Sequence, residues 1–165
     1  MAGSRIGYVI IDSNSYFIAT VKAGKGYKIH QKLCGYYPFY SCIYDIRRLF
    51  FSDHCRYGVS KVYICGPDEI KDLVYNELFG CVKSKANVIN ISSVMEEGFQ
   101  LAVKATTIEP AIANFEDIMN KGPDDIKPYE YDSSAVECYY DKLANALEQV
   151  TQQHTVFRRI FGTGE

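Results

Sequence analysis

Three runs of strand-forming residues follow one another at the start of this chain, before any helical pattern begins. Ile6–Ile11, Tyr16–Lys22 and Tyr27–Leu33 are rich in β-branched and aromatic side chains. Asp12-Ser-Asn-Ser separates the first two. Ala23-Gly-Lys-Gly separates the second from the third, and its glycines tolerate the positive φ that tight hairpins need. Strands joined by such short turns pair antiparallel, so antiparallel pairs belong to whatever sheet follows.

Helices then alternate with single strands. Pro38 precedes an apolar face of Phe39, Ile43, Ile46, Leu49 and Phe50, with Asp45, Arg47 and Arg48 on the other sides; this predicts a helix over about 38–56. Val59–Cys65 reads as a strand that Gly66-Pro67 ends sharply. A second helix opens at Asp68, carries Ile70, Leu73, Val74 and Leu78 in register, and stops at Gly80. Asn87–Ile91 is a short strand. Ser92 or Ser93 then caps a third helix, Glu96 completing a capping box, and this helix runs to about Lys104.

Beyond Thr106 the pattern weakens. Ile108–Ile118 has little periodicity, and Lys121-Gly-Pro-Asp-Asp and Lys127-Pro128 mark a loop. From Ser133 a last helix is expected, capped by Ser134, with Val136, Tyr139 or Tyr140, Leu143, Leu147 and Val150 as its apolar stripe. The expected division is a domain over 1–106, a linker over 107–132, and a terminal helix with a basic tail over 133–165. Single strands joined through helices become parallel neighbours by right-handed crossovers. The expected fold is therefore α/β: a mixed five-stranded sheet with helices on both faces plus a C-terminal helix. That is the ribonuclease-H-like arrangement, which also forms each half of an actin-like ATPase core.

A chain of 165 residues, 47% of them hydrophobic, has enough apolar surface to fold as one ordinary domain with an appended segment. Fourteen Tyr and nine Phe favour β structure or a contact surface. Charge points away from nucleic acid: 18 basic and 20 acidic residues are mixed along the chain, and Arg47-Arg48 and Arg158-Arg159 are too small to form a basic stripe. The six cysteines, at 34, 42, 55, 65, 81 and 138, follow no ligand spacing and read as reduced thiols. No apolar run is long enough to span a bilayer and no signal-peptide pattern opens the chain, so it is expected to be soluble as given.

Asp12 stands where a metal-dependent nuclease of this topology keeps its first acid. Such an enzyme needs about four clustered carboxylates to hold two Mg²⁺ ions. Asp68, Glu69, Glu96 and Glu97 instead open helices, where the dipole favours acids. Gly24-Lys-Gly26 lacks the pattern of a phosphate loop. Ile64-Cys-Gly-Pro-Asp68 resembles the late glycine-rich turn of actin-like proteins, but Asp68 would repel a phosphate there. His30, His54 and His154 are scattered, and Cys42 with His54-Cys55 completes no tetrahedron. No catalytic, cofactor-binding or metal-ligating residue is assigned. The aromatic cluster Tyr36-Tyr-Pro-Phe-Tyr40 is open to two readings, core packing or a partner surface.

A half-fold without phosphate machinery, followed by Glu109-Pro-Ala-Ile-Ala-Asn-Phe115, resembles the GspL-type cytoplasmic domains of type II secretion. The resemblance to inner-membrane assembly proteins of type IV pili is closer. It covers residues 5–105 in fold and 109–115 in the linker. It implies a non-enzymatic scaffold on the cytoplasmic face of a bacterial inner membrane. That scaffold would bind the N-terminal domain of the pilus assembly ATPase and couple it to a polytopic platform protein. Anchoring would come from a segment beyond residue 165, with Arg158-Arg159 on the cytoplasmic side. Two alternatives stand beside it: a degenerate actin-like or ribonuclease-H-like nucleotide-binding protein, and a homodimer held through residues 134–150.

Overall fold

A computed structural model describes residues 5–22, 25–51, 59–78, 81–122 and 133–162. Five strands form one mixed sheet: β1 (Arg5–Asp12), β2 (Ser15–Lys22), β3 (Gly26–Cys34), β4 (Val59–Gly66) and β5 (Ala86–Asn90). Their spatial order is β3-β2-β1-β4-β5. The helices are α1 (Phe39–Phe51), α2 (Ile70–Glu77), the single turn α3 (Cys81–Ser84), α4 (Met95–Lys121) and α5 (Ser133–Phe161). β1 pairs antiparallel with β2 from Arg5↔Lys22 to Asp12↔Ser15, and β2 pairs antiparallel with β3 through a bulge between Ile18 and Ala19. β1–β4 and β4–β5 are parallel. The intervening helices supply the crossovers that parallel neighbours require.

The chain divides into two compact units, Met1–Ala102 with Arg159–Phe161, and Val103–Arg158 with Gly162–Glu165. In the first, β1 and β2 are covered on both faces, which is why they read as nearly unbroken apolar runs. One face carries Val9, Ile11, Tyr16 and Ile18 against Cys42, Ile43, Ile46 and Phe50 of α1, Val74 of α2 and Leu78 just after it. On the other, Phe99 of α4 meets Tyr8 and Phe17 with ring centroids 5.5 and 5.4 Å away, and Phe161 lies 5.3 Å from Phe99. Each fully buried aromatic of this kind contributes roughly 1.5–3 kcal/mol of transfer free energy. Gly98 allows the close approach of α4: a Cβ there would stand 2.8 Å from the Ile10 side chain and 2.5 Å from the Ser93 carbonyl.

The second unit is a pair of helical stretches. Lys104, early in its part of α4, sits 5.2 Å over the ring of Phe157, late in α5, so the two run antiparallel. Ala105, Ile108, Ile112, Phe115 and Ile118 form the more buried stripe of α4, and Tyr139, Leu143, Ala146, Val150, Gln153 and Phe157 that of α5. Spacings are three or four residues throughout, the pattern of a narrow two-helix seam.

Several elements differ from their sequence-based bounds. The predicted helix over 38–56 is seen over Phe39–Phe51, and its last residues lie outside the described set. α4 does not stop near Lys104 but continues to Lys121, through Pro110 and through the stretch read as linker from 107. Proline removes one backbone donor from a helix and crowds the preceding turn. Here the hydroxyls of Thr106 and Thr107 donate to the Val103 carbonyl just before it, at 3.2 and 2.6 Å. Glu96, expected in a capping box with Ser93, instead pairs with Lys32 of β3 at 2.7 Å. In α5, Leu147 is 52% exposed and Ala146 takes the buried position; the burial of Val136 lies outside the described set.

Candidate functional site at the β1–β2 turn

Asp12 ends β1 as the cap of a turn. Its Oδ1 accepts the Asn14 N–H at 3.0 Å and the Ser15 hydroxyl at 2.9 Å, the Asx-turn geometry that Asp favours. The Gly35 N–H donates to the Asn14 carbonyl at 2.7 Å, fastening the end of β3 to this turn. Gly35 has φ +105°, a backbone state glycine adopts without a Cβ penalty. The chain leaves it with Tyr36 and Tyr37 on opposite sides. Tyr37 turns inward, donates its hydroxyl to the Asp12 carbonyl at 2.5 Å and packs edge-on against Tyr16 at 5.0 Å. Burial, with the nearby Cys42 and Asp12, raises its phenol well above the usual range. Tyr36 turns outward and is 91% exposed.

The outward face continues along α1. Tyr40 and Tyr44 are 73% and 64% exposed and stand four residues apart in α1, which sets both on one side of that helix, while the exposed Tyr36 precedes it. The polar groups next to them are already engaged. Asp45 accepts the buried Tyr16 hydroxyl at 2.7 Å and pairs with Arg48 at 3.5 Å, and Arg47 donates to the Glu77 carbonyl at 3.0 Å. The sequence cluster Tyr36–Tyr40 thus divides between the two readings left open for it. Tyr37 belongs to the core and Tyr36 and Tyr40 to the surface. Tyr44, which belongs with them, was detectable from its spacing.

The remaining acids and thiols lie apart. Asp68 accepts the Ile70 N–H at 2.9 Å and so opens α2, while the ammonium of the buried Lys71 donates to its carbonyl at 2.6 Å. Among the described residues no three His, Cys, Asp or Glu side chains come together as a metal site. Burial pushes the thiols of Cys42 and Cys65 up to about 12, so both stay protonated and unreactive at neutral pH, whereas Cys34 and Cys138 are exposed. His30 contacts the Thr20 hydroxyl at 2.9 Å, and burial together with Lys28, Arg5 and Arg48 lowers its pKa. What this arrangement offers is an exposed aromatic surface.

Comparison with solved structures identifies the fold. The chain matches an archaeal translation termination factor, aRF1, with a TM-score of 0.53 and 14% identity, over 71% of this chain and 40% of that one. A structure described as an archaeal protein matches at 0.53 and 15% identity, over 90% of this chain and 53% of the other. Pelota from Archaeoglobus fulgidus matches at 0.52 and 15% identity, over 72% and 38%. This chain therefore spans about two fifths to one half of the length of these proteins. No protein-family model matches the sequence, and no curated protein matches it.

These matches correct the fold class and what was built on it. The architecture is the one found in the aRF1 and Pelota structures, in place of a ribonuclease-H-like core or half of an actin-like ATPase. The five-stranded mixed sheet expected from the sequence is present; what differs is α4, which continues to Lys121 where a helix ending near Lys104 and then a linker were expected, and the 29-residue α5 follows it. The pilus resemblance falls with the expected fold class, including the likeness of the whole chain to the N-terminal cytoplasmic region of BfpC, the bundle-forming pilus protein of enteropathogenic Escherichia coli. So do the scaffold role, the pilus ATPase and platform-protein partners, and the reason for expecting an anchor beyond residue 165. Residues 109–115, which carried the linker likeness, are the interior of a helix. No described helix is long and apolar enough to cross a membrane.

Proposed function

We propose that this chain is a non-enzymatic domain of a translation-termination-type factor and that it acts by docking on the ribosome. The observation carrying this reading is the fold it shares with aRF1, whose structure is that of an archaeal translation termination factor, at a TM-score above one half. The outward row of Tyr36, Tyr40 and Tyr44 supports it. Tyrosine is enriched at the centre of macromolecular interfaces because it buries a large rigid area at little cost in side-chain entropy. The same surface has no carboxylate cluster or activated thiol among the described residues, so binding is the role it suits. The terminal helix over 133–165 is kept as a separate element of the proposal, and limited proteolysis between residues 122 and 133 that releases it would test this.

Sedimentation through a sucrose gradient tests the main reading. The purified chain is mixed with ribosomes from an archaeal or eukaryotic extract at low salt. It should move with the ribosomal fractions and be released progressively as salt is raised. A chain that remains at the top of the gradient at low salt defeats the reading.

A further inference from the structure

The opposite end of the sheet from Tyr36 carries a different chemistry. A depression of about 200 Å³ opens where the start of β1 meets the β2–β3 hairpin, and Arg5, Lys22, Lys25 and Lys28 line it together with Thr20. Strand pairing gathers these residues: Arg5 lies opposite Lys22, and Lys28 lies opposite Thr20. The turn is closed by the Lys25 N–H donating to the Lys22 carbonyl at 3.0 Å. No carboxylate is among the lining residues, although the chain as a whole carries a net charge of −2.

Like charges placed opposite one another on paired strands repel. Elsewhere on the same strand the protein neutralises such a charge: Lys32 is held by Glu96 at 2.7 Å. Lys22, Lys25 and Lys28 have no ion pair of that kind among the described residues. The positive field extends to the neighbouring His30, where burial is the first cause of a lowered pKa and every charge that adds to it is a cation: Lys28, Arg5 and Arg48. The three lysines are the charges that an anion entering the depression would meet.

We infer that this depression binds phosphate groups of an RNA backbone. Its size decides against a whole nucleotide, since pockets that enclose small ligands run to roughly 300–1,000 Å³. Lysine ammoniums act on phosphate as point charges, whereas shape-specific recognition of a free phosphate favours paired guanidiniums. Three lysines around an open depression therefore suit the phosphates of a passing strand. The choice of RNA over another polyanion rests on the ribosomal docking proposed above. Sequence reading sets nucleic acid aside because basic and acidic residues are mixed along the chain; folding brings together four cations that lie between residues 5 and 28.

The test is anisotropy of the full chain with a short fluorescein-labelled oligouridylate at low salt. The variant is Lys25→Gln with Lys28→Gln, two exposed side chains whose loss should leave the melting temperature unchanged. Wild type should bind, and the variant should bind about tenfold more weakly, with a salt slope shallower by about 1.4, the value for two phosphate contacts to a single strand. Lys121→Gln with Lys142→Gln, in the other unit, should change neither. Absence of binding by wild type, or equal binding by the variant, overturns the site. So does inorganic phosphate binding as tightly as the oligonucleotide, or phosphatidylserine vesicles binding more tightly than it with the same loss in the variant. Ribosome sedimentation that persists without oligonucleotide binding removes this site and leaves the ribosomal reading standing. Oligonucleotide binding without sedimentation removes the ribosomal reading instead.

Discussion

β1 and β2 bury nearly every side chain along their eight residues each, whereas the 29-residue α5 buries only a narrow seam. In the strands, alternate side chains enter two separate cores, one against α1 and α2 and one around Phe99. In the seam, alanine and glutamine occupy positions that a tightly packed helix pair would fill with larger aliphatics. The sheet unit is therefore expected to carry most of the folding free energy, and the second unit to be the part whose helices open first.

Paired substitutions in the two regions would break or sharpen that contrast. Phe17→Ala, emptying a fully buried site, should cost about 3–5 kcal/mol in urea denaturation, while Leu143→Ala in the half-buried seam should cost less than about half as much. Equal losses would make the two helices as integral to stability as the strands. A smaller effect separates the two tyrosines after Gly35. Tyr37→Phe removes a buried hydrogen bond and should cost about 1 kcal/mol, whereas Tyr36→Phe, at the surface, should leave the denaturation midpoint in place.

The smallest expected effect is a pH dependence at His30. Its folded-state pKa lies below the unfolded value of about 6.5, so the unfolded chain takes up the proton first on acidification. Its stabilising contribution is present above the unfolded pKa and is lost as pH falls through the folded one. The melting temperature of wild type should therefore fall more steeply than that of His30→Gln over that acidic window, because glutamine keeps a partner for Thr20 without titrating. Parallel melting curves for the two proteins across that range would show that burial and the cations around His30 leave it unperturbed.

Sequence reading works well where one period dominates. The antiparallel hairpins announced themselves by apolar runs broken at Asp12-Ser-Asn-Ser and Gly24-Lys-Gly26, and α1 by its apolar face. It fails at α4 because Thr106, Thr107 and Pro110 are all unfavourable in a helix interior, and local propensity outweighed a thin stripe of Ala105, Ile108, Ile112 and Phe115. The aromatic cluster was visible, but its division between Tyr36 and Tyr37 depends on the positive φ of Gly35, which a sequence does not display. The basic depression was hidden for another reason: strand pairing joins residues that are far apart in the chain.

Displacement from the ribosome tests the functional reading most directly. Labelled archaeal aRF1 is bound to ribosomes and challenged with increasing amounts of this chain. A shared fold used for a shared docking role requires the chain to displace the label, with Tyr36→Ala, Tyr40→Ala and Tyr44→Ala together weakening that competition. Full retention of aRF1 at saturating concentrations of the chain would contradict it.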